Sequence, residues 1–514
     1  MTFSRIIFGL TILIGCAMIE TDHAVAVDAV VVCPDVFRAD LQPWLNYREQ
    51  EGLSIVVVDS AERPDDVRDM IRRAADDATR YIVLVGDAPV IGTRCDPARR
   101  IPIEYQPTTV TAKWGSTPTL SSDLLYGDFD GDGLPEAVVG RLPVDTAEEL
   151  RRAVKRILAY ENSIDFGTWR SEVQLVGGVG GFGMMADAAI ESVTRTVVTS
   201  VLPMATRTRV AYASDGHPFC PVGASFTDCI LNNYQRGARF WVYAGHGQVT
   251  ELDRFPQTEA GIPVLDRNSA ARLSRPDGAS PIAVLLACYT GAMDAPEDSI
   301  AEEMWLTDGG PVAVVAGSRV TMPYGNTTAA VGLIDGVFAQ QLPRLGDAWL
   351  SALGEMHRVS ETQTSDANAN SRMMIDALAT MISPAGTVLV DERREHMLLY
   401  NLIGDPMLSM HHPQPMTMSV AASHALGDVV EVVSTSPIAG QLCVSIDRPL
   451  GAAIDGDPNE TTVAKLSMDM TANQPATTKF RLPVGTVGPL IIRGFVAGQK
   501  EWATGAARTI LRAP

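Results

Sequence analysis

The chain has 514 residues, 46% of them hydrophobic and 20% charged, which is the composition of an ordinary globular protein and excludes disordered, collagen-like and low-complexity classes. At this length one core does not suffice, and roughly two to four domains are expected. A formal charge of −20, from 41 basic and 61 acidic residues, repels phosphate backbones and anionic lipid surfaces and sets nucleic acid aside as a partner.

In chain order, the first residues read as an export leader: Arg5 precedes an apolar run from Ile6 to Ile19 that is too short to span a bilayer comfortably. Two processing sites compete. Ala24-Val25-Ala26 has the small-x-small form of a signal-peptidase site and gives a leader of 1–26, whereas Leu13-Ile14-Gly15-Cys16 has the form of a lipobox whose cysteine would carry lipid. Both predict a protein secreted or held at the cell envelope, with Cys16 as the lipid anchor in the second case. It is not expected to span the membrane, because no later apolar run approaches ~18 residues. Of the seven cysteines, Cys220 and Cys229 are near enough in sequence to close a small loop, and Cys288 is expected to stay unpaired.

Apolar β-type runs then alternate with amphipathic stretches, the pattern of a parallel sheet covered by helices. Strands are predicted near Ala29 to Cys33, Ser54 to Val58 and Tyr81 to Val85, with helices over Arg38 to Gln50 and Pro64 to Ala75. An acidic, turn-rich segment from Asp123 to Arg141 leads into a long helix from Val144 to Tyr160. A second set of short buried strands follows near Val173 to Val176, Arg239 to Tyr243, Ile282 to Ala287 and Val312 to Ala316, with crossover helices at Met184 to Leu202 and Ile300 to Leu306. From about residue 415 threonine- and valine-rich runs with frequent turns predict a β-sandwich, reached through the stiff linker His411-His412-Pro413-Gln414-Pro415. The expected organisation is an α/β unit in two subdomains, 27–165 and 166–412, followed by a β domain over 415–514.

In open α/β sheets reactive groups converge at the carboxyl ends of strands. Two such ends stand out. Phe240-Trp241-Val242-Tyr243-Ala244 runs into Gly245-His246-Gly247, and Ala283-Val284-Leu285-Leu286-Ala287 runs into Cys288. The chain between them is long enough for a crossover helix, so the two strands can be neighbours. A thiol near neutral pH is mostly protonated, and an imidazole beside it can take the proton and leave a nucleophilic thiolate. The backbone N–H groups of Gly247 and Cys288 are candidate oxyanion donors, Gly247 because a residue without Cβ lets the main chain approach a substrate. Taken singly, each residue has a plainer reading, the cysteine as a small buried hydrophobe and the histidine as a structural group.

The runs Tyr243-Ala244-Gly245-His246-Gly247 and Leu286-Ala287-Cys288-Tyr289-Thr290-Gly291 resemble the two active-site signatures of the gingipain-type cysteine peptidases, relatives of caspases and legumains. Further stretches carry the resemblance from about residue 29 to 410: Leu84-Val85-Gly86-Asp87-Ala88, Asp130-Gly131-Asp132-Gly133 through Val139-Gly140-Arg141-Leu142-Pro143, Tyr160-Glu161, Pro311 to Ser318, and Leu402-Ile403-Gly404-Asp405-Pro406. The resemblance implies a caspase-like α/β catalytic unit followed by an immunoglobulin-like domain, and hydrolysis of peptide bonds in protein or peptide substrates through an acyl-enzyme. By position it implies Cys288 as nucleophile and His246 as general acid/base, with no cofactor needed for the chemistry. Members of the family also carry a glutamate after the strand that corresponds to Val173 to Val176; here Gly177-Gly178-Val179-Gly180-Gly181 has no acid. An inactive, caspase-like surface scaffold is the alternative that this departure leaves open.

Some gingipains select arginine or lysine with a pocket aspartate, and Asp187 and Asp294 are the candidates for that place, Asp187 weighed against an ordinary first-turn helical acid. Asp128, Asp130 and Asp132, with Gly133, have the spacing of the first half of an EF-hand calcium loop; Glu136 falls at its ninth position, but Val139 stands where the closing glutamate would be. A calcium there would be structural, against the reading of a solvated acidic turn. Gly178-Val179-Gly180-Gly181-Phe182-Gly183 matches a dinucleotide fingerprint without the acid expected on the next strand, and His411-His412 has no ligand cluster around it, so neither is taken as a site.

Overall fold

Runs of β-branched and aliphatic residues build the frame. The computed structural model describes residues 26–512 apart from 182, 222–224, 257–260, 359–372, 374, 381–385 and 453–455; the leader's apolar run and Cys16 lie outside the described residues. Ten strands form one sheet: β1 (Ala29–Val32), β2 (Ile55–Val58), β3 (Tyr81–Val85), β4 (Val138–Leu142), β5 (Glu172–Gly177), β6 (Arg207–Tyr212), β7 (Phe240–Ala244), β8 (Ile282–Leu286), β9 (Ala313–Gly317) and β10 (Tyr400–Ile403). Their order is β2-β1-β3-β4-β10-β9-β8-β7-β5-β6. β3, β8 and β9 are buried along their whole length, as continuous apolar strands covered on both faces should be.

The sheet is continuous across the expected subdomain boundary near residue 165. β10 makes the join: it runs antiparallel to β9 over four residue pairs and parallel to β4 through Ile403 and Arg141. The two halves are each parallel within themselves and run in opposite senses.

Helices cover both faces: α1 (Asp35–Gln50), α2 (Pro64–Ala74), α3 (Ala147–Glu161), α4 (Met184–Thr196), α5 (Phe226–Arg236), α6 (Ile300–Leu306), α7 (Pro323–Ile334), α8 (Leu345–His357) and α9 (Leu389–Leu399). Local sequence sets their starts. Thr146 and Glu149 form a capping box on α3, Ser299 and Glu302 another on α6, and Pro64 opens α2, where its missing N–H costs no helical bond. Arg48 of α1 is fully buried and binds Glu161 of α3 at 2.8 Å and Asp405, just past β10, at 2.6 Å. This ion cluster explains two of the sequence stretches singled out above, because a buried guanidinium needs its carboxylates in fixed places.

The C-terminal strands are β11 (Thr417–Val420), β12 (Ser423–Ala425), β13 (Val429–Thr435), β14 (Gly440–Asp447), β15 (Thr462–Met470), β16 (Ala476–Arg481), β17 (Gly488–Ala497) and β18 (Trp502–Arg512). One sheet has the order β18-β17-β14-β15 with β12 along β18, the other β11-β13-β16, and Val430, Val432, Leu442, Val444, Leu490 and Ile492 fill the space between them. This sandwich docks on the large sheet. The Asn459 side chain donates to the Val210 carbonyl at 2.9 Å and accepts from its N–H at 2.7 Å, which caps edge strand β6, and Asp447 accepts from Arg493 at 2.9 Å and pairs with Arg207 at 3.3 Å. Trp502 packs on Phe495 and Phe166 and donates to the His411 carbonyl. Cys220 and Cys229 are free thiols, so the disulfide considered for them is not formed. Among the described residues no helix is long and apolar enough to cross a membrane.

Candidate active site

β7 and β8 are adjacent and parallel, and the pair Ala244 with Leu286 ends their ladder. His246 and Cys288 each stand two residues past that pair, so the same register carries the imidazole and the thiol to one level at neighbouring strand ends. The chain goes from β5 out to edge strand β6 and returns on the other side of β5 as β7, which makes this the point where strand order reverses and loops diverge to leave a crevice. Both side chains are partly exposed there.

The loop after β7 is tightly held. The buried Tyr243 hydroxyl donates to the His246 carbonyl at 2.6 Å, and the Asp253 N–H donates to the same carbonyl at 3.2 Å. Burial holds the Tyr243 phenol far above its ordinary titration range, so it remains a donor. A Cβ on Gly247 would lie 2.7 Å from Thr290 Cγ2, 2.8 Å from the Cys288 carbonyl oxygen and 2.9 Å from Ala287 Cβ. Only glycine allows this approach of the histidine loop to the cysteine turn. Among the described residues, neither the Gly247 nor the Cys288 N–H donates to a protein acceptor.

On the cysteine side the chain turns sharply. Tyr289 has φ 57°, a left-handed conformation that costs a non-glycine residue on the order of 1–3 kcal/mol and persists only where its surroundings enforce it. Its N–H donates to the Arg319 carbonyl at 3.0 Å, and its hydroxyl accepts from the Thr117 N–H at 3.3 Å. Asp294 enters here. Both of its oxygens are taken by the buried Arg319 guanidinium, at 2.9 and 2.6 Å, and Ser121 donates to it as well. The structure therefore makes Asp294 a brace for the turn after Cys288 and corrects its expected place in a substrate pocket, since its charge is already answered inside the protein.

The glycine-rich loop after β5 faces His246. A Cβ on Gly178 would lie 2.8 Å from the Tyr243 hydroxyl and 3.0 Å from Gly245 Cα, so close approach to the histidine loop, and no nucleotide, accounts for glycine there. A Cβ on Gly181 would lie 3.8 Å from His246 Nε2, so this loop borders the imidazole although it brings no acid of its own. Two carboxylates hold it: Asp253 accepts from the Val179 N–H at 2.8 Å and Asp187 from the Gly181 N–H at 3.2 Å. Asp187, in the first turn of α4 and half-buried, is thus beside the crevice, where Asp294 is not.

The sulfur itself has a partner that the sequence did not suggest. The Thr321 N–H donates to Cys288 Sγ at 3.3 Å, and the Thr321 carbonyl lies 3.6 Å from the same atom. Thr321 is far from Cys288 along the chain and follows no motif; only the neighbouring of β8 and β9 brings it close.

Away from the crevice, Asp128, Asp130, Asp132 and Glu136 offer oxygens that all lie within 4.8 Å of one another. The loop is folded around Asp128, whose two oxygens accept from the N–H groups of Gly131 and Gly133, while Glu136 accepts from Phe129. Val139, at the place of the absent glutamate, belongs to β4. The second half of an EF-hand is replaced by a strand of the large sheet, and the all-oxygen donor set that remains fits a hard divalent cation.

The family model of peptidase family C25 matches residues 23–411. Lys-gingipain from Porphyromonas gingivalis is 27% identical over 160 residues, which is 28% of this chain and 8% of that protein, and Lys-gingipain W83 from the same organism matches equally. The aligned stretch thus spans less than a tenth of these curated relatives. The crystal structure of the Arg-specific cysteine proteinase gingipain R superposes with a TM-score of 0.55 at 14% identity, over 95% of this chain and 98% of that one. The pro- and mature domains of Porphyromonas gingivalis RgpB give 0.52 at 14% identity, over 94% and 100%. These superpositions bear on the fold alone.

Proposed function

The chain belongs to peptidase family C25, the gingipain-type cysteine peptidases, and from that premise we propose that it is an exported endopeptidase with Cys288 as nucleophile and His246 as general acid/base. The observation that carries the reading is the shared register of β7 and β8, which gives thiol and imidazole the same level on adjacent strands at the topological switch point.

In this reading His246 takes the thiol proton and the thiolate attacks the scissile carbonyl carbon. The oxygen that becomes negative accepts from the Gly247 and Cys288 N–H groups, which have no other acceptor among the described residues. Imidazolium then protonates the leaving amine, and the C–N bond breaks to give the acyl-enzyme and the free amine. Water, deprotonated by His246, attacks the thioester and releases the acid and the thiol. Substrates are proteins or peptides, and Asp187, at the crevice edge, selects a basic residue before the cut by pairing with its charge. Asp128, Asp130, Asp132 and Glu136 hold a structural calcium that takes no part in the chemistry. The leader delivers the protein to the cell envelope or beyond, with Cys16 as the lipid-bearing residue if the lipobox is used.

The test is labelling of the mature protein with peptidyl acyloxymethyl ketones that differ in their terminal residue, read by intact mass. Selective labelling by basic reagents, lost in Cys288→Ala and weakened roughly ten- to hundredfold in Asp187→Ala, is the expected result. No labelling across the panel, with and without calcium, would instead mark an inactive scaffold.

A further inference from the structure

The Cys288 sulfur is flanked on two sides. His246 follows β7 on one side of β8, and Thr321 follows β9 on the other. The Thr321 N–H points at the sulfur, and its hydroxyl oxygen lies 4.0 Å from it. The Thr321 carbonyl, on the peptide that joins Thr321 to Met322, lies 3.6 Å from the sulfur and accepts from the thiol, whereas the N–H belongs to the preceding peptide, so what holds Thr321 from its carboxyl side sets how both groups meet the sulfur.

Two anchors hold it. The Met322 N–H donates to Nε2 of His396 at 2.6 Å, and Nδ1 of the same ring lies 2.7 Å from the Glu392 carbonyl oxygen. Because an amide can only donate and a carbonyl only accept, the proton of His396 resides on Nδ1 and Nε2 is the acceptor. His396 is fully buried on α9 and packs against the first turn of α7 so closely that a Cβ on Gly325 would lie 2.1 Å from its Cγ. The groups that face it are Glu392 and Glu395 of its own helix and the main chain of Met322 and Gly325; the Gly325 N–H is itself bound by Glu392 at 3.3 Å. Burial pushes the imidazole down to about 4, which keeps Nε2 an acceptor at neutral pH. The second anchor is a chain of side chains. The buried Tyr400 hydroxyl donates to Asn326 Oδ1 at 2.7 Å, and Asn326 Nδ2 donates to the Thr321 hydroxyl at 3.2 Å.

We propose that His396 is a positioning residue for the nucleophile: by fixing the Met322 amide it holds Thr321 from its carboxyl side and so keeps the Thr321 N–H on the Cys288 sulfur, where that donor meets, from the side opposite His246, the thiolate left when His246 takes the proton. A hydrogen bond to a charged acceptor is roughly twice as strong as one between neutral groups, so the bond from the N–H strengthens on ionisation while the longer contact to the Thr321 carbonyl, which serves the thiol alone, is given up. The inference rests on the reading of Cys288 as nucleophile given above.

The test measures alkylation of Cys288 by iodoacetamide in the full mature chain at about pH 7 and about pH 10, for the wild type, His396→Leu, His396→Gln and Asn326→Ala, with folding checked by near-UV circular dichroism. At about pH 10 an ordinary thiol ionises without help. His396→Leu is expected to slow the reaction roughly tenfold near pH 7 and less than about twofold near pH 10. His396→Gln, which offers a carbonyl oxygen to the same amide, is expected to recover most of the rate. A folded His396→Leu protein that reacts at the wild-type rate near pH 7, or is slowed equally at both pH values, overturns the proposal. Should that variant not fold, Asn326→Ala, which loosens Thr321 while leaving His396 in place, is judged by the same two rates. Absence of alkylation at Cys288 in the wild type would sink the nucleophile reading itself, whereas a reactive Cys288 indifferent to these variants sinks only the role of His396.

Discussion

A methyl group at Gly247 would have to share space with the Cys288 carbonyl and Thr290, both within 2.8 Å of it. Gly247→Ala therefore pushes the histidine loop off the cysteine turn and displaces the N–H proposed to bind the oxyanion; we expect kcat/KM to fall roughly a hundredfold or more with only a small loss of Tm, checked by kinetics beside thermal unfolding. Two further acids, one just past β3 and one on α6, give a test by pH. Asp87 and Glu302 are both buried, and burial pushes Asp87 up to about 6 and, with the charge of Asp87 adding to it, Glu302 well above the carboxylate range. A carboxyl whose folded value is raised keeps a proton that the unfolded chain releases, so its contribution to stability is complete below the unfolded value and is lost as pH rises. Glu302→Gln mimics the neutral acid and preserves the acceptor for Ser299, so it should raise Tm at about pH 8 and leave it nearly unchanged at about pH 4. That Cys288 and His246 lie at neighbouring strand ends was legible, because each follows two residues after a five-residue apolar strand. The roles of Thr321, His396 and Asp253 were not, because their contacts with Cys288, Met322 and Val179 join segments far apart in sequence. Asp294 was misplaced for the same reason: its partner Arg319 comes after the next strand.

At the scale of elements, most buried strands and the helices α1 to α4 and α6 announced themselves by composition and period, whereas α5, α7, α8 and α9 did not, and two of the missed strands show where the strand signal ends. β6, Arg-Thr-Arg-Val-Ala-Tyr, is a half-exposed edge strand with no continuous apolar run. β10 has only four residues and pairs antiparallel with one neighbour, a role that hydrophobic pattern does not mark. The acidic turn between the hairpin at Glu104–Pro107 and Thr119–Ser122 and β4 is an element that no apolar pattern defines. Its four carboxylates repel one another unless a cation lies among them. Chelation is expected to lower Tm, calcium to restore it, and Asp128→Asn to lose most of that response, since Asp128 is the buried acid around which the turn closes. A Tm indifferent to chelator in the wild type would make the segment an ordinary turn.

The whole molecule has two large cores, one around the ten-stranded sheet and one inside the sandwich, fastened by polar contacts. Asp447 is one joint: it is fully buried and holds Arg207 of the large sheet together with Arg493, Ser445 and Thr462 of the sandwich. Removing one member of such a cluster leaves the others desolvated without a partner, and because both arginines keep some access to water the cost of Asp447→Ala should be about 2–3 kcal/mol. Calorimetry of that variant is expected to resolve two transitions where the wild type gives one; a single transition at the wild-type temperature would mean that the sandwich does not need this joint. The general plan, an α/β unit followed by a β domain, was readable from the change in composition near residue 415, whereas the fusion of two half-sheets into one was hidden by the brevity of β10.

That fusion has a consequence in time. β4 and β9 both wait for β10, which is made of residues 400–403. At ribosomal speeds of about 5–20 residues per second, roughly ten to fifty seconds pass between the emergence of Arg141 and that of its partner Ile403. Through that interval the edge of β4 stays open, and from the synthesis of β9 onward the half that bears Cys288 and His246 also lacks the strand that locks it to the other. The order of synthesis thus acts as a delay, in which the reactive pair is encoded early but its scaffold closes only after nearly the whole catalytic unit has been made.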